Sequence, residues 1–302
     1  MLAPIVRTKV LGICLAIALL LPTTCFGEIN MEAVRRSVVF LYAADASGQI
    51  VPAGTGFIVE IPSKSHVGQA YKLLVTARHI VDPEWAGCPI QGAPKLFMRV
   101  NKKNFDPTKD EVGTVDLDLA GNIRQGNPWV VNPDSEVDAA VATLDGSVLD
   151  KYDVGAVLMS DFPTAEEIKT FNVKDEVVSA GLLPGASGKK HNYPISKFGH
   201  LSSLPAESVD AKLCGEQAAP RSLKVWIVAA SLVPGNSGSP IFFSPQMLSS
   251  RRAVLLGVQS IALLPWDVAG MTPIQYVYEI IESMTSVMKD ADLTRNHQPK
   301  KP

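Results

Sequence analysis

The sequence has almost no excess charge of either sign. Its 302 residues include 28 Lys and Arg against 30 Asp and Glu, a formal net charge of -2. Such a balance gives no field strong enough to hold a polyanion or an anionic membrane surface. We therefore expect no nucleic-acid partner. Hydrophobic residues make up 46% of the chain and charged residues 19%, a composition that excludes disorder and supplies a core.

Long hydrophobic runs are also missing. The apolar run at 10–21 is shorter than the roughly 20 residues that a membrane-spanning helix needs, and no later segment is longer. Two basic residues precede this run, and a short polar stretch ending at Gly27 follows it, which is typical of a secretory signal. We predict a signal peptide at 1–27, export to the periplasm or the cell exterior, and no membrane attachment after cleavage. An uncleaved anchor and a lipid on Cys25 are the alternatives.

Cysteine is scarce, with four in the whole chain. Cys14 and Cys25 would leave with the signal, so the mature protein keeps Cys88 and Cys214. Two thiols in an exported protein allow at most one disulfide. Because 126 positions separate them, the bridge would join distant parts of the fold, and the sequence does not decide whether it forms.

Internal repeats and helices alternating with strands are absent as well. The mature chain instead contains short runs rich in Val, Ile, Leu and aromatic residues, separated by Gly, Pro, Ser and Asp. These predicted strands lie at 34–42, 54–61, 71–77, 95–100, 137–144, 176–182, 223–230 and 253–260. The pattern predicts an all-β barrel or sandwich. One helix is predicted at 273–289, with Thr272 as its cap, followed by a frayed polar tail at 290–302.

The hexapeptide GNSGSP at 235–240 is the strongest chemical signal. Glycines on both sides of Ser237 allow a tight turn that points successive backbone N–H groups inward. The N–H groups of Gly235 and Ser237 could then hold the negative oxygen that forms when Ser237 attacks a carbonyl carbon. An ordinary surface turn is the alternative, since Gly, Asn, Ser and Pro are common turn residues.

A serine hydroxyl becomes a strong nucleophile only when a base takes its proton, so the hypothesis requires a histidine. His79 ends the run LLVTARH and follows a predicted buried strand directly. The other four histidines lie in polar or loop surroundings: His66, His191, His200 and His297. His79 is therefore the candidate base.

The imidazole ring must in turn be held by a carboxylate. Asp138 lies within the apolar run VDAAVATL, where an unpaired charge would be costly, and pairing with His79 removes that cost. Other carboxylates remain as alternatives: Asp134 and Glu136 in the polar stretch before it, and Asp116 and Asp118 in VDLDL.

Taken together, these motifs resemble the trypsin-like serine peptidases of bacterial type. GTGFIV and LLVTARH resemble their glycine-rich and histidine strands, VDAAVA their aspartate strand, and GNSGSP their serine loop, in the order His, Asp, Ser. The resemblance spans residues from about 34 to 285. It implies a chymotrypsin-like fold of two packed six-stranded antiparallel β-barrels with a C-terminal helix, occupying 28–289 and divided near 150–175.

The resemblance also implies where a substrate binds. Ser260, Ile261 and Ala262 match the strand that pairs with a peptide backbone, and Ser231 matches the floor of the first specificity pocket. Since residue 231 is no carboxylate, we expect a small or medium apolar substrate side chain there. No metal or cofactor is expected. Asn236 stands where animal members have an aspartate that pairs with a new amino terminus, so activation by that salt bridge is not expected.

The implied function is a secreted or periplasmic serine endopeptidase that cleaves a protein or peptide substrate through an acyl-enzyme. One alternative is a catalytically silent peptidase-fold module with a binding or chaperone-like role. Another is an esterase or self-processing enzyme with the same triad. The sequence has no GxSxG elbow, which argues against an α/β-hydrolase. The sequence predicts no particular oligomeric state.

Overall fold

The computed structural model describes residues 30–45, 47–88, 95–122, 129–214, 218–245, 251–263 and 267–295. The predicted signal peptide at 1–27 lies outside these ranges, as does the end of the predicted tail, 296–302. None of the helices within them combines the length and the apolar character that crossing a bilayer requires.

Strands dominate the described chain. In the N-terminal half they are β1 Val38–Ala44, β2 Ile50–Pro62, β3 Ala70–Thr76, β4 Leu96–Asn101, β5 Thr114–Asp118, β6 Val130–Val131, β7 Ala140–Leu144 and β8 Val157–Leu158. In the C-terminal half they are β9 Glu176–Gly181, β10 Ile195–Ser203, β11 Val209–Ala211, β12 Arg221–Leu223, β13 Trp226–Ala229, β14 Pro240–Phe243, β15 Val254–Leu263 and β16 Val268–Pro273.

The helices are short. They are α1 Met31–Ser37, α2 Arg78–Val81, α3 Leu119–Asn122, α4 Gly146–Leu149, α5 Ala165–Ile168 and α6 Ile274–Ser283. Two 3-10 turns, Met159–Asp161 and Met284–Ser286, complete the set among the described residues. The expected all-β fold with a C-terminal helix is confirmed.

The N-terminal half is one sheet, antiparallel except for β8. Its hydrogen-bonded order is β5-β4-β1-β2-β3-β7-β6, and β8 pairs with β2 in parallel. Successive residues of β2 point to opposite faces, so Phe57 and Val59 enter one hydrophobic core while Ile58 enters another. Within the described ranges the sheet has eight strands instead of the expected six, because the two-residue strands β6 and β8 extend it, and its order does not form a closed ring.

The C-terminal half is a closed barrel of six antiparallel strands, in the order β10-β13-β16-β15-β14-β9, as expected. Its interior contains Leu201, Val228, Ile241, Leu256 and Met271, which pack against one another. The two-stranded hairpin β11–β12 lies outside the ring.

A shared core joins the two halves. It contains Phe40 and Phe57 from the N-terminal sheet, Val178 and Leu255 from the barrel, and the inward face of α6. That face consists of Val277, Ile280 and Ile281, spaced three and four residues apart as an amphipathic helix requires. Packing of α6 therefore fixes the barrel against the N-terminal sheet.

The boundaries of the first predicted strand and of the C-terminal helix differ from the predictions. Residues 34–37 belong to α1, because the Asn30 side chain accepts a hydrogen bond from the Ala33 N–H and starts a helix there. The C-terminal helix begins after Pro273, which ends β16, and it stops at Ser283 instead of 289. The Thr272 side chain does not cap this helix, because its hydroxyl is buried and donates to the Asp138 carbonyl at 3.2 Å.

The predicted frayed tail is wrong for residues 290–295. Ala291 is buried and forms a bridge with Ser63. The Asp290 carboxylate accepts hydrogen bonds from Ser63 at 2.5 Å, from Ser65 at 2.6 Å and from Tyr71. These donors hold the pKa of Asp290 far below its usual range. Hydrogen bonding by one acidic side chain thus anchors a segment whose composition resembles a free tail.

A disulfide joins Cys88 to Cys214, with their Cα atoms 5.2 Å apart, a separation that the bond requires. Cys88 lies in the loop that follows α2, and Cys214 lies between β11 and β12. The bond therefore links the two halves of the chain.

Replacing both cysteines, Cys88→Ser with Cys214→Ser, should lower the free energy of unfolding by about 2–5 kcal/mol, since the bond closes a loop of 126 positions in the unfolded chain. Urea unfolding of the oxidised wild type and the double variant measures the difference. A reducing agent should destabilise the wild type and leave the double variant unchanged. Equal midpoints for the two oxidised proteins would contradict the expectation.

Candidate active site

His79 and Asp138 form a buried pair. The ring Nδ1 of His79 lies 2.8 Å from Oδ2 of Asp138, and the backbone N–H of His79 donates to Oδ1 at 2.9 Å. Asp138 is completely buried, while the His79 side chain retains 12% of its exposure. Because Nδ1 carries the proton shared with the carboxylate, Nε2 is left as the free acceptor of the ring.

The chain brings these two residues together from the ends of paired strands. β3 ends at Thr76, and His79 follows in the first turn of α2. Asp138 lies two residues before β7, in irregular backbone instead of within a strand as predicted. β3 pairs with β7, with Thr76 opposite Ala140, so the pairing of the strands sets the contact between base and acid.

The alternative carboxylates are engaged elsewhere. Asp116 pairs with Arg99 at 2.6 Å, Asp118 with Lys95 at 3.3 Å, and Asp134 with Lys224 at 2.5 Å. Glu136 accepts a hydrogen bond from Ser208 at 2.5 Å.

Arg78, Arg221 and Trp85 make the contacts that hold the segment around His79. Arg78 pairs with Asp82 at 3.2 Å and stacks on the ring of Trp85, 4.6 Å from its centroid. Arg221 stacks on the same ring, also at 4.6 Å. Trp85 donates from its indole N–H to the Ser135 carbonyl at 3.1 Å. The Arg221 stack and the disulfide of Cys88 hold the segment that carries the histidine against the C-terminal half, and the other contacts hold it within the N-terminal half.

The serine turn at 235–238 has the conformation that its glycines predict. Gly235 has φ of +97° and Gly238 has φ of +86°, values in the left-handed region that glycine adopts without strain. The Asn236 N–H donates to the Val233 carbonyl at 3.0 Å, and the Ser239 N–H donates to the Asn236 carbonyl at 2.8 Å. Among the described residues, no acceptor takes the N–H of Gly235 or of Ser237.

The same turn packs against the strands that lead to His79. The Thr55 N–H donates to the Ser237 carbonyl at 2.8 Å. A Cβ at Gly54 would lie 3.0 Å from that carbonyl and would overlap the side chain of Ile80, the neighbour of His79. A Cβ at Gly238 would overlap Thr55. The two glycines thus allow the serine turn and the histidine helix to meet across β2.

A chain of hydrogen bonds links Ser237 to Asp138. The Ser237 hydroxyl donates to the Ser260 carbonyl at 3.4 Å, and the Ser260 hydroxyl lies 2.6 Å from the hydroxyl of Thr272, which donates to the Asp138 carbonyl. The structure does not hydrogen-bond Ser237 directly to His79. Rotation about the Cα–Cβ bond of Ser237 is the movement that redirects its hydroxyl.

The residues predicted to bind a peptide backbone lie near the end of β15. Ile261 pairs with Gly270 and Ala262 with Ala269, both on β16. On the opposite edge of β15, pairing with β14 ends at Val258, so no described strand occupies that edge beside Ser260, Ile261 and Ala262.

A carboxylate lies beside Ser231, the residue predicted to form the pocket floor. Its hydroxyl donates to Asp267 at 3.0 Å, and Lys197 donates to its backbone carbonyl. Partial burial lowers the pKa of Lys197, and the nearby Asp267 acts in the opposite direction. The expectation of an uncharged pocket floor considered position 231 alone and missed Asp267, which lies 36 residues later in the chain.

Asn236 is 1% exposed, and both ends of its amide are hydrogen-bonded. Its Nδ2 donates to the Leu182 carbonyl at 2.7 Å, and its Oδ1 accepts from the Val233 N–H at 3.0 Å. A neutral side chain therefore joins the serine turn to the end of β9. A carboxylate at this position would be repelled by the Leu182 carbonyl oxygen.

Sequence reasoning missed several polar residues around the turn. Thr55, Thr76 and Thr272 are all completely buried and hydrogen-bonded to backbone carbonyls. Threonine is common in strands, so positions 55 and 76 resembled ordinary strand residues, and Thr272 was predicted to be a helix cap. Position 55 alone carried a signal, since it lies between two glycines in GTGFIV.

Comparison with known proteins finds likeness only among solved structures. Rv3671c protease from M. tuberculosis, in its active form, is 15% identical, with 93% of each chain covered and a TM-score of 0.48. The thermostable serine protease AL20 from an extremophilic microorganism is 14% identical, with 84% of this chain and 99% of that chain covered and a TM-score of 0.49. No protein-family model and no curated protein matches the chain. At these values the likeness carries no argument about the site.

The variant Asn236→Asp should lose about 1–3 kcal/mol of stability at neutral pH, because a buried carboxylate cannot donate to the Leu182 carbonyl. The loss should be smallest near pH 4 and grow as the pH rises, since the protonated acid can still donate and its folded-state pKa is raised. Urea unfolding across this pH range measures it. The matched control Asn104→Asp, on an exposed turn, should show neither effect, and a pH-independent loss at 236 would contradict the explanation.

Proposed function

We propose that the chain is a serine endopeptidase with His79, Asp138 and Ser237 as its triad. The observation that carries this proposal is the contact of His79 Nδ1 with the buried Asp138, made on strands against which the turn bearing Ser237 also packs. A buried acid, a ring with one free nitrogen and a serine in a glycine turn are the three parts that acyl transfer by serine requires.

In the proposed reaction, Nε2 of His79 takes the hydroxyl proton as the Ser237 oxygen attacks the carbonyl carbon of a peptide bond. The Asp138 carboxylate stabilises the imidazolium that forms and keeps the ring in its orientation. The imidazolium then gives its proton to the leaving amine, and an acyl-enzyme on Ser237 remains. Water attacks this ester with His79 again as the base, which releases the acid and restores the hydroxyl.

The negative oxygen of each tetrahedral intermediate needs donors that are already in place. The N–H groups of Gly235 and Ser237 have no acceptor among the described residues, and both belong to the turn that carries the nucleophile. We assign them as the oxyanion donors.

The peptide is proposed to bind as an added strand along the edge of β15 that no described strand pairs with beyond Val258. Backbone hydrogen bonds to Ser260, Ile261 and Ala262 would then align the scissile bond with Ser237, because the Ser260 carbonyl lies within reach of the Ser237 hydroxyl. Ser231, together with Asp267 and Lys197, is proposed to face the side chain that precedes the cleaved bond.

Export is part of the proposal. The sequence pattern at 1–27 supports it, and so does the bond between Cys88 and Cys214, since disulfides form in oxidising compartments.

One observation favours a catalytically silent module as a second candidate. The Ser237 hydroxyl donates to the Ser260 carbonyl and not to His79, so the nucleophile and base are not engaged with each other. A protein locked in this arrangement would bind peptides along β15 without cleaving them. Chemical labelling of the serine distinguishes the two candidates.

A fluorophosphonate probe should label the mature protein on Ser237. Ser237→Ala and His79→Ala should each abolish labelling and lower the turnover of a casein substrate by about a million-fold. Peptide mapping by mass spectrometry locates the adduct. Comparison of casein with a simple ester substrate separates an endopeptidase from an esterase.

Ser65→Ala is the matched control for this experiment. Ser65 also lies beside a histidine and an aspartate, with its hydroxyl 2.8 Å from His66 Nδ1 and 2.6 Å from Asp290. Hydroxyl and carboxylate there approach the same ring nitrogen, at 2.8 and 3.3 Å, so the ring of His66 cannot take the hydroxyl proton on one nitrogen while the carboxylate holds the other. This variant should label at the wild-type rate. An adduct on Ser65, or an unlabelled wild type, would reject the proposed triad.

The intact chain expressed with its first 27 residues in a bacterial host should be recovered from the periplasm or the medium, with Glu28 as its first residue. Intact-mass measurement of that fraction checks the cleavage site. Retention of the full-length mass in the membrane fraction would instead establish an uncleaved anchor, and a mass increase by acyl chains would establish lipidation.

A further inference from the structure

Thr55 joins β2 to the C-terminal half through its hydroxyl and its backbone N–H, and its carbonyl is bonded within the N-terminal sheet. Its hydroxyl donates to the Gly235 carbonyl at 2.8 Å and accepts from the Leu182 N–H at 2.9 Å. Its backbone N–H donates to the Ser237 carbonyl at 2.8 Å, and its carbonyl accepts from the Thr76 hydroxyl at 2.7 Å. The residue is completely buried, so water cannot replace any of these bonds.

These bonds fix alternate peptide units of the serine turn. A peptide unit is planar, with its C=O and N–H pointing in opposite directions. In the unit after Gly235, the carbonyl accepts from Thr55 and the Asn236 N–H donates to Val233. In the unit after Ser237, the carbonyl accepts from Thr55 and the Gly238 N–H donates to the Gln259 carbonyl at 2.7 Å. Both units are thus held at both ends.

The remaining N–H groups of the turn take their direction from these two units. The Ser237 N–H belongs to the unit between them, whose carbonyl on Asn236 accepts from Ser239 at 2.8 Å. The Gly235 N–H belongs to the unit just before them. The Ser237 N–H is fixed because the units on both sides of its own are held, and the Gly235 N–H adjoins a held unit on one side. No described residue accepts a hydrogen bond from either N–H.

We propose that the Thr55 hydroxyl is a positioning group for the oxyanion donors, acting through the Gly235 carbonyl without touching the substrate. The inference rests on the proposed function. Gly235 has φ of +97°, and glycine can leave that conformation easily, so its peptide unit needs an external restraint. Thr55 supplies that restraint from the half of the protein that carries His79. Donors and base therefore keep one relative position.

Loss of the hydroxyl has a specific consequence. Thr55→Val keeps the branched shape but removes the hydrogen-bond partner of the part-buried Gly235 carbonyl and of the buried Leu182 N–H, which costs free energy until one of them turns away. Pro184 blocks one side, since a Cβ at Gly235 would lie 2.7 Å from its Cδ and Cγ. Rotation of the peptide unit after Gly235 relieves the cost and misdirects the donors. Thr55→Ser keeps both bonds.

The test compares fluorophosphonate labelling rates, because the phosphonyl oxygen of the probe occupies the oxyanion position as it reacts with the serine. Thr55→Val should label about 10- to 100-fold more slowly than the wild type, and its casein turnover should show the loss in kcat with KM unchanged. Thr55→Ser should restore the wild-type rate. If Thr55→Val does not fold, Thr55→Cys, with a side chain of similar size and a weaker donor, provides the same comparison.

Ser37→Ala is the matched control for a purely structural role. It also removes a buried hydroxyl that donates to a backbone carbonyl, that of Val34, at 2.7 Å. It should lower the melting temperature yet leave labelling unchanged. A Thr55→Val protein that labels at the wild-type rate, or a Thr55→Ser protein as slow as Thr55→Val, would overturn the inference while leaving the triad intact. A wild type that does not label would overturn both.

Discussion

A buried carboxylate is stable only where donors reach its oxygens, and Asp138 obtains both of its donors from His79. The ring approaches one oxygen and the backbone N–H of the same residue approaches the other. Neither side chain can move without leaving a charge unpaired in the interior, which would cost several kcal/mol. The pair therefore fixes the ring to the backbone at the end of β3, and every other part of the site is placed relative to that ring.

The serine turn belongs to the other half of the protein, so its position relative to the ring depends on contacts between the halves. The shared hydrophobic core around α6 brings the halves together but specifies no direction for a peptide unit. Hydrogen bonds from Thr55 and Thr272 supply direction, since both cross between the halves and end on backbone carbonyls. The disulfide and the stack on Trp85 add a second crossing behind α2. Apolar packing thus holds the two halves together, and hydrogen bonds orient the peptide units between them.

Much of this arrangement could be predicted from the sequence. Short apolar runs separated by turn residues indicated the strands. His79 stood out at the end of such a run, Asp138 within one, and Ser237 between two glycines. Contacts that depend on register between distant strands could not be predicted. Asp267 meets Ser231 only because β13 pairs with β16, with Ala229 opposite Val268. The anchoring of 290–295 by Asp290 depends in the same way on a hairpin more than 200 residues earlier.

Asn236 shows how a neutral group can hold the serine turn. An aspartate at this position would need a buried cation beside it, and such a partner can arise only from another charged group or from a new amino terminus. The asparagine amide instead meets one backbone acceptor and one backbone donor, so both of its ends are satisfied without a second charge. Together with the Thr55 hydroxyl, it holds the turn through uncharged groups among the described residues. These bonds hold the turn in the folded chain without a charged terminus beside Asn236.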